Sequence, residues 1–159
     1  MFQAEIKQTE PMTVAFLSRR GPYSLIPEGF AELYGWVREY EHVPEGKPMA
    51  VFLTGPERPE DEAAWELWAP IEGGEIAFGP DERGLGVKQV EPATVASAMH
   101  TGPYETIEPT YRRLAEWAGE QGYGITGPPR ELYYSDPRKT PPEEYLTEIQ
   151  FPVRKRSGL

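Results

Sequence analysis

Residues 6–26 read IKQTEPMTVAFLSRRGPYSLI, and residues 87–107 read VKQVEPATVASAMHTGPYETI. The two stretches align without a gap. Extended to 6–39 against 87–120, fourteen of thirty-four positions are identical, among them Lys7/Lys88, Gln8/Gln89, Pro11/Pro92, Val14/Val95, Leu33/Leu114 and Trp36/Trp117. The register continues through Gly46/Gly127 and Pro48/Pro129. After a one-residue slip, Glu66 and Pro70 fall opposite Glu148 and Pro152. Self-similarity at a fixed spacing means that one folding unit has been copied, so the chain divides into repeat one (1–71), a linker (72–86), repeat two (87–153) and a short basic tail (154–159).

Within a repeat the pattern gives the elements. Residues 6–20 combine alternation with β-branched side chains and are broken by Glu10-Pro11, which predicts two strands joined as a hairpin. Gly21-Pro22-Tyr23 ends the second strand, since glycine relaxes the backbone and proline cannot donate to a ladder. A helix follows, with Ile26, Phe30, Leu33 and Val37 at helical spacing in one copy and Ile107, Tyr111, Leu114 and Trp117 in the other. Pro27 and Pro109 suit a first helical turn and Gly122 a helix end. Third strands are expected at 49–53 and 132–134, and fourth strands at 65–71 and 145–153. Residues 54–64 and 135–144, rich in proline and charge, read as exposed hairpin connections, and a short edge strand is expected at 75–78. Trp36 and Trp117, on the helix stripes, are assigned to the core. The expected class is α+β: two strand-strand-helix-strand-strand modules forming one curved antiparallel sheet with two helices, pseudo-twofold, with a ligand groove between the repeats.

Composition removes several function classes. Without cysteine there are no disulfides, thiolate nucleophiles or Cys-ligated metals, and His42 and His100 are the only histidines, so neither a metal nor another cofactor is expected. Twenty-six acidic against sixteen basic residues give a net charge of −10. That balance opposes phosphate-backbone binding and favours small cations. The amino terminus has no basic stretch followed by an apolar run, and no segment is apolar for the roughly 18 residues a membrane helix needs. A cytoplasmic protein with neither nucleic-acid nor membrane partners is expected.

Glu148 is the residue that stands out chemically. It lies in YLTEIQFPV, residues 145–153, a strand otherwise apolar enough to be central, and its repeat mate Glu66 lies in WELWAPI, residues 65–71. Period-2 geometry puts Leu146, Glu148 and Gln150 on one face. On a half-buried strand such a glutamate faces solvent. If its face instead lines an aromatic-rimmed groove, it is a recessed anion, and without a partner it costs several kcal/mol or takes a proton unless a ligand cation pairs with it. Tyr104, Tyr133, Tyr134, Trp65 and Trp68 are the candidate aromatic companions, since a cation over a ring face gains about 0.5–2 kcal/mol. Each of them also has an ordinary packing role open to it. Ser97 and His100 lack a nucleophile elbow and a carboxylate orienter, the glycines at 73–74 and 84–86 lack the Lys-Ser/Thr of a phosphate loop, and Arg154-Lys155-Arg156 is too short to suggest nucleic acid.

The duplication, the strand, Gly-Pro-Tyr, helix junction in both halves and the closing TEIQFPV together resemble the GyrI-like (gyrase-inhibitor-like) effector-binding superfamily over nearly the whole chain. The resemblance implies two tandem modules with a ligand groove between them, and a final-strand glutamate, here Glu148, that meets cationic or amphipathic ligands. Many relatives are sensor domains behind a helix-turn-helix in AraC- and MerR-type activators. Here the first strand begins within a few residues of Met1, so a stand-alone member is expected. Three readings follow: a binding protein for a small cationic or amphipathic molecule; a hydrolase of reactive electrophiles with Glu148 as general base; and an inhibitor or sequestering protein acting on a protein partner such as gyrase.

Overall fold

The structure, a computed structural model, describes residues 2–73 and 76–156. In chain order the elements are β1 (Ala4–Gln8), β2 (Met12–Arg20), α1 (Ile26–Glu39), β3 (Met49–Phe52), β4 (Ala64–Ile71), β5 (Leu85–Val90), β6 (Thr94–Thr101), α2 (Glu108–Glu120), β7 (Tyr123–Ile125), β8 (Arg130–Tyr133) and β9 (Leu146–Lys155). All strand pairings named below are antiparallel, and the class is α+β as the sequence implies. Two compact units form: one from residues 10–91, the other from the residues up to Thr9 together with those from Pro92 onward.

In the unit of residues 10–91, β3 pairs with β4, β4 with β2, and β2 with β5. In the other unit β1 pairs with β6, β6 with β9, and β9 with both β8 and β7. The hairpin expected over residues 6–20 is therefore corrected. Both its strands exist, but β1 pairs with β6, and β2 takes β5 in the place a hairpin partner would occupy. A tight hairpin needs positive φ in its turn, and none of Thr9, Glu10 and Pro11 has it. Instead Thr9 N–H donates to the Ala93 carbonyl at 2.8 Å and its hydroxyl accepts from Ala93 N–H at 2.9 Å, which carries β1 onto β6.

Each helix lies where its apolar stripe can be covered. In the unit containing α2, Leu114 and Ala118 are buried with Ala96, Ala98, Ile149, Phe151 and Val153. Ala4, Ile6 and Trp117 close over this core, partly buried. In the other unit Leu33, Trp36 and Val37 of α1 are buried with Leu17, Trp65 and Leu67. Gly29 lets α1 approach: a Cβ there would stand 2.7 Å from the Leu67 side chain. The Gly-Pro-Tyr junctions play matched parts. Gly21 (φ +139) donates to the Ala63 carbonyl and Gly102 (φ +130) to the Tyr145 carbonyl, each leading into a single 3-10 turn before its helix.

Residues 54–64 and 135–144 do connect hairpins, β3 to β4 and β8 to β9. Of the edge strand expected at 75–78, Glu75 lies outside the described residues, and Phe78 makes a single bridge with Val87. The end of the basic tail, 157–159, is also outside them. β7, which pairs with the end of β9, was not expected. No helix among the described residues is long and apolar enough to cross a membrane.

Candidate functional site

Strand register decides which side chains meet. On β9 the odd-numbered Ile149, Phe151 and Val153 pack with α2, so Glu148 and Gln150 point to the opposite face, and the pairings bring Ser97 of β6 and Lys7 of β1 onto that face with them. Glu148 is 2 % exposed. Its Oε2 accepts from Lys7 Nζ at 2.7 Å, Ser97 Oγ at 2.7 Å and Gln150 Nε2 at 2.9 Å, and its Oε1 from the Tyr134 hydroxyl at 2.6 Å. Burial by itself raises the pKa of this carboxyl, but the four donors, Lys7 foremost, outweigh it and hold the group at about 2. The recessed anion is present, yet Lys7 already supplies the cation that a ligand was expected to bring. Of the expected aromatics, Tyr134 hydrogen-bonds Glu148. Burial and the Glu148 carboxylate push its phenol up to about 12, so it stays a donor.

Glu66 repeats the arrangement in the other unit with different neighbours. Lys88, the mate of Lys7, places Nζ 2.5 Å from Glu66 Oε1, and the Trp68 indole N–H donates to the same oxygen at 2.9 Å. The ammonium stands 4.8 Å from the Phe16 ring centroid and 5.2 Å from that of Trp68. Trp65 is not with them. It is fully buried on the α1 side and donates its indole N–H to the Gly21 carbonyl, a packing role.

Tyr104 and Tyr133 also lie away from Glu148, on the α2 side. Their rings meet edge to face at 5.9 Å, and Tyr104 stacks on Tyr145 at 5.0 Å. Behind them is a second buried carboxyl that sequence reasoning missed. Glu131 is 8 % exposed and accepts from the hydroxyls of Tyr133, at 2.6 Å, and Tyr111. No lysine or arginine pairs with it among the described residues. Burial pushes its pKa up, against the lowering effect of the two phenols and of nearby His100. Tyr104 is raised to about 12, first by burial and then by Tyr145 and Glu131. His100, 7 % exposed, has Nε2 3.2 Å from the Pro103 carbonyl and Nδ1 2.9 Å from the Thr110 hydroxyl. A carbonyl can only accept, so Nε2 carries a proton and donates it to Pro103.

A signal for Glu131 existed in the repeat. The offset that matches Gly46 to Gly127 sets Glu131 opposite Ala50, which is fully buried. A charge in one copy where the other needs a core alanine marks a carboxyl placed inward.

No three histidine, aspartate or glutamate side chains among the described residues converge as a metal would require. A shallow depression of about 510 Å³ is lined by Ser18, Arg19, Arg20, Glu32 and residues 80–84. It coincides with none of the expected residues, and Arg19 and Arg83 there already share Glu32, both at 3.1 Å.

Comparison with curated protein sequences finds no match. Among solved structures, the EcmrR C-terminal domain is 23 % identical with a TM-score of 0.78, covering 98 % of this chain and 99 % of that one. EcmrR in its DNA complex gives 23 % identity and a TM-score of 0.83, covering 97 % of this chain, which spans only 58 % of that protein's length. A hydrolase from Listeria innocua is 16 % identical with a TM-score of 0.71, covering 96 % and 92 % of the two chains. SAV2435 bound to tetraphenylphosphonium is 13 % identical with a TM-score of 0.59, covering 96 % and 94 %. At these identities the likeness is one of fold. A sequence profile of the GyrI-like small molecule binding domain matches residues 2–154, nearly the whole chain, and the protein belongs to that family.

Proposed function

We propose that this protein binds a hydrophobic cation, with Glu131 as the anionic anchor and Tyr104, Tyr111, Tyr133 and Tyr145 as the surrounding rings. One observation carries the reading: Glu131 is a buried carboxyl that accepts from two phenols, and among the described residues no lysine or arginine is paired to it. An uncompensated buried carboxylate is costly, which favours the protonated form of Glu131 when no cation is paired with it. A ligand cation replaces that proton and gains ring-face attraction besides, about 0.5–2 kcal/mol for each well-placed ring. Tyr104, 39 % exposed, is the member of the cluster through which a ligand would enter. The solved SAV2435 complex, with a lipophilic cation on the same fold, is consistent with this ligand class.

Glu148 has a different part in this proposal. Its charge is already neutralised by Lys7, and it ties β1 to β9 across β6. Held at about 2, it is also a weak base near neutrality and poorly suited to draw a proton from water. Hydrolysis, the second reading, would have to run through Glu131, whose raised pKa suits proton transfer better.

The test is a calorimetric titration of wild type, Glu131→Gln and Glu148→Gln with tetraphenylphosphonium and with uncharged triphenylphosphine oxide. Wild type should prefer the cation, and Glu131→Gln should lose that preference by about tenfold or more. Glu148→Gln should lose stability and keep the preference. Equal binding of the cation by wild type and Glu131→Gln would refute the anchor.

A further inference from the structure

The two Lys–Glu pairs are copies of one arrangement, yet their surroundings have diverged. Lys7 shares its carboxylate with Ser97, Gln150 and Tyr134, so hydrogen bonds hold the charges. The repeat alignment places Phe16 opposite Ser97 and, past the one-residue slip, Trp68 opposite Gln150. Where the first pair has two polar partners, Lys88 therefore has two ring faces, at 4.8 and 5.2 Å, and a carboxylate at 2.5 Å. An ion pair needs only the carboxylate. Two ring faces and an anion around one ammonium are the recognition chemistry of an organic cation.

Exposure follows the same division. Phe16 and Trp68 are buried, at 4 % and 6 %, while Glu66 is 18 % and Lys88 34 % exposed. The lysine is the movable member, a flexible stem that can release its head to water. Gly86 fixes the floor: a Cβ there would stand 2.8 Å from the Phe16 ring, so only glycine lets the ring lie against β5.

We propose that Phe16, Trp68 and Glu66 form a second cation site, in the unit of residues 10–91, whose resting occupant is the Lys88 ammonium and whose ligand is a compact quaternary or primary ammonium. Lys88 is a tethered competitor. A ligand must displace it, and affinity in the wild type is correspondingly weak.

The proposal goes beyond the Glu131 anchor and is tested separately from it. Benzyltrimethylammonium is titrated by calorimetry into wild type, Lys88→Met, Lys88→Met/Glu66→Gln and Lys88→Met/Trp68→Leu, with circular dichroism confirming each fold. Lys88→Met should bind about tenfold or more tightly than wild type, and each double variant should lose the gain. Lys88→Gln serves in the same comparison if the methionine variant does not fold. The gain should persist on a Glu131→Gln background, whether or not Glu131 proves to be an anchor. A Lys88→Met affinity no higher than that of wild type, or a gain that survives loss of Trp68 and Glu66 or vanishes with Glu131→Gln alone, overturns the proposal.

Discussion

Glu148 and Glu131 lie on neighbouring strands of one unit but point to opposite faces; burial raises both pKa values, and only at Glu148 do the hydrogen-bond donors, Lys7 foremost, reverse the shift. Glu148 sits below its ordinary value of 4.5, at about 2. Its stabilising effect is therefore complete above about pH 4.5 and is lost as pH falls through about 2, a contribution on the order of 2–3 kcal/mol. Urea denaturation of wild type and Glu148→Gln across that window should show their stability difference shrinking toward low pH; a constant difference would contradict the donor cluster. Glu131 lies above its ordinary value, so its stabilising contribution is complete below about pH 4.5 and is lost as pH rises through its raised value. Glu131→Gln should accordingly gain stability relative to wild type as pH rises. The alternation of Arg130-Glu131-Leu132-Tyr133 disguised this residue. Leucine reads as the inward side chain there, whereas register with Ile149 puts glutamate on the helix side.

At the scale of elements, the helices, the hairpins β3–β4 and β8–β9 and the glycine junctions were legible because each rests on local chemistry: an apolar stripe, a turn composition, a positive φ. The partner of β1 was not legible, because alternation fixes which side chains face the core but not which strand lies alongside. The exchange has a kinetic consequence. Leu114→Ala, in the core beneath α2, should cost about 2–5 kcal/mol, and amide exchange should speed up in β1 together with β6 and β9. Exchange of β1 in step with β2 would contradict the pairing. Lys7→Met should weaken the attachment of β1 by about 1–3 kcal/mol, since Glu148 then loses its cation while remaining buried. In the other unit Gly84 has φ +85, and a Cβ would stand 2.4 Å from the Ser18 carbonyl oxygen. Gly84→Ala should therefore destabilise by about 1–3 kcal/mol in thermal melts.

At the scale of the whole molecule, duplication explains both the fold and the places where the two copies differ. One copy keeps an apolar seam under its helix, with Ala50 and Gly29 closely packed, and the other sets Glu131 and Thr110 at the matching positions. The family was legible from the repetition, order and spacing of weak motifs. The Lys7–Glu148 pair was not, because Lys7 lies 141 positions earlier in sequence and is brought to Glu148 only by the exchange. In the proposed reading, the net charge of −10 draws cationic ligands at long range and the buried carboxyl sets selectivity.

Proton release on binding tests the central claim most directly. Calorimetric titration with tetraphenylphosphonium at a series of pH values upward from the ordinary carboxyl value of 4.5, in buffers of different ionisation enthalpy, should show a pH window in which the wild type releases up to about one proton per ligand as Glu131 gives up its proton to pair with the cation. Glu131→Gln should release none. Binding by the wild type without proton release, or equal release by the variant, would mean that the cation does not take the proton's place on Glu131.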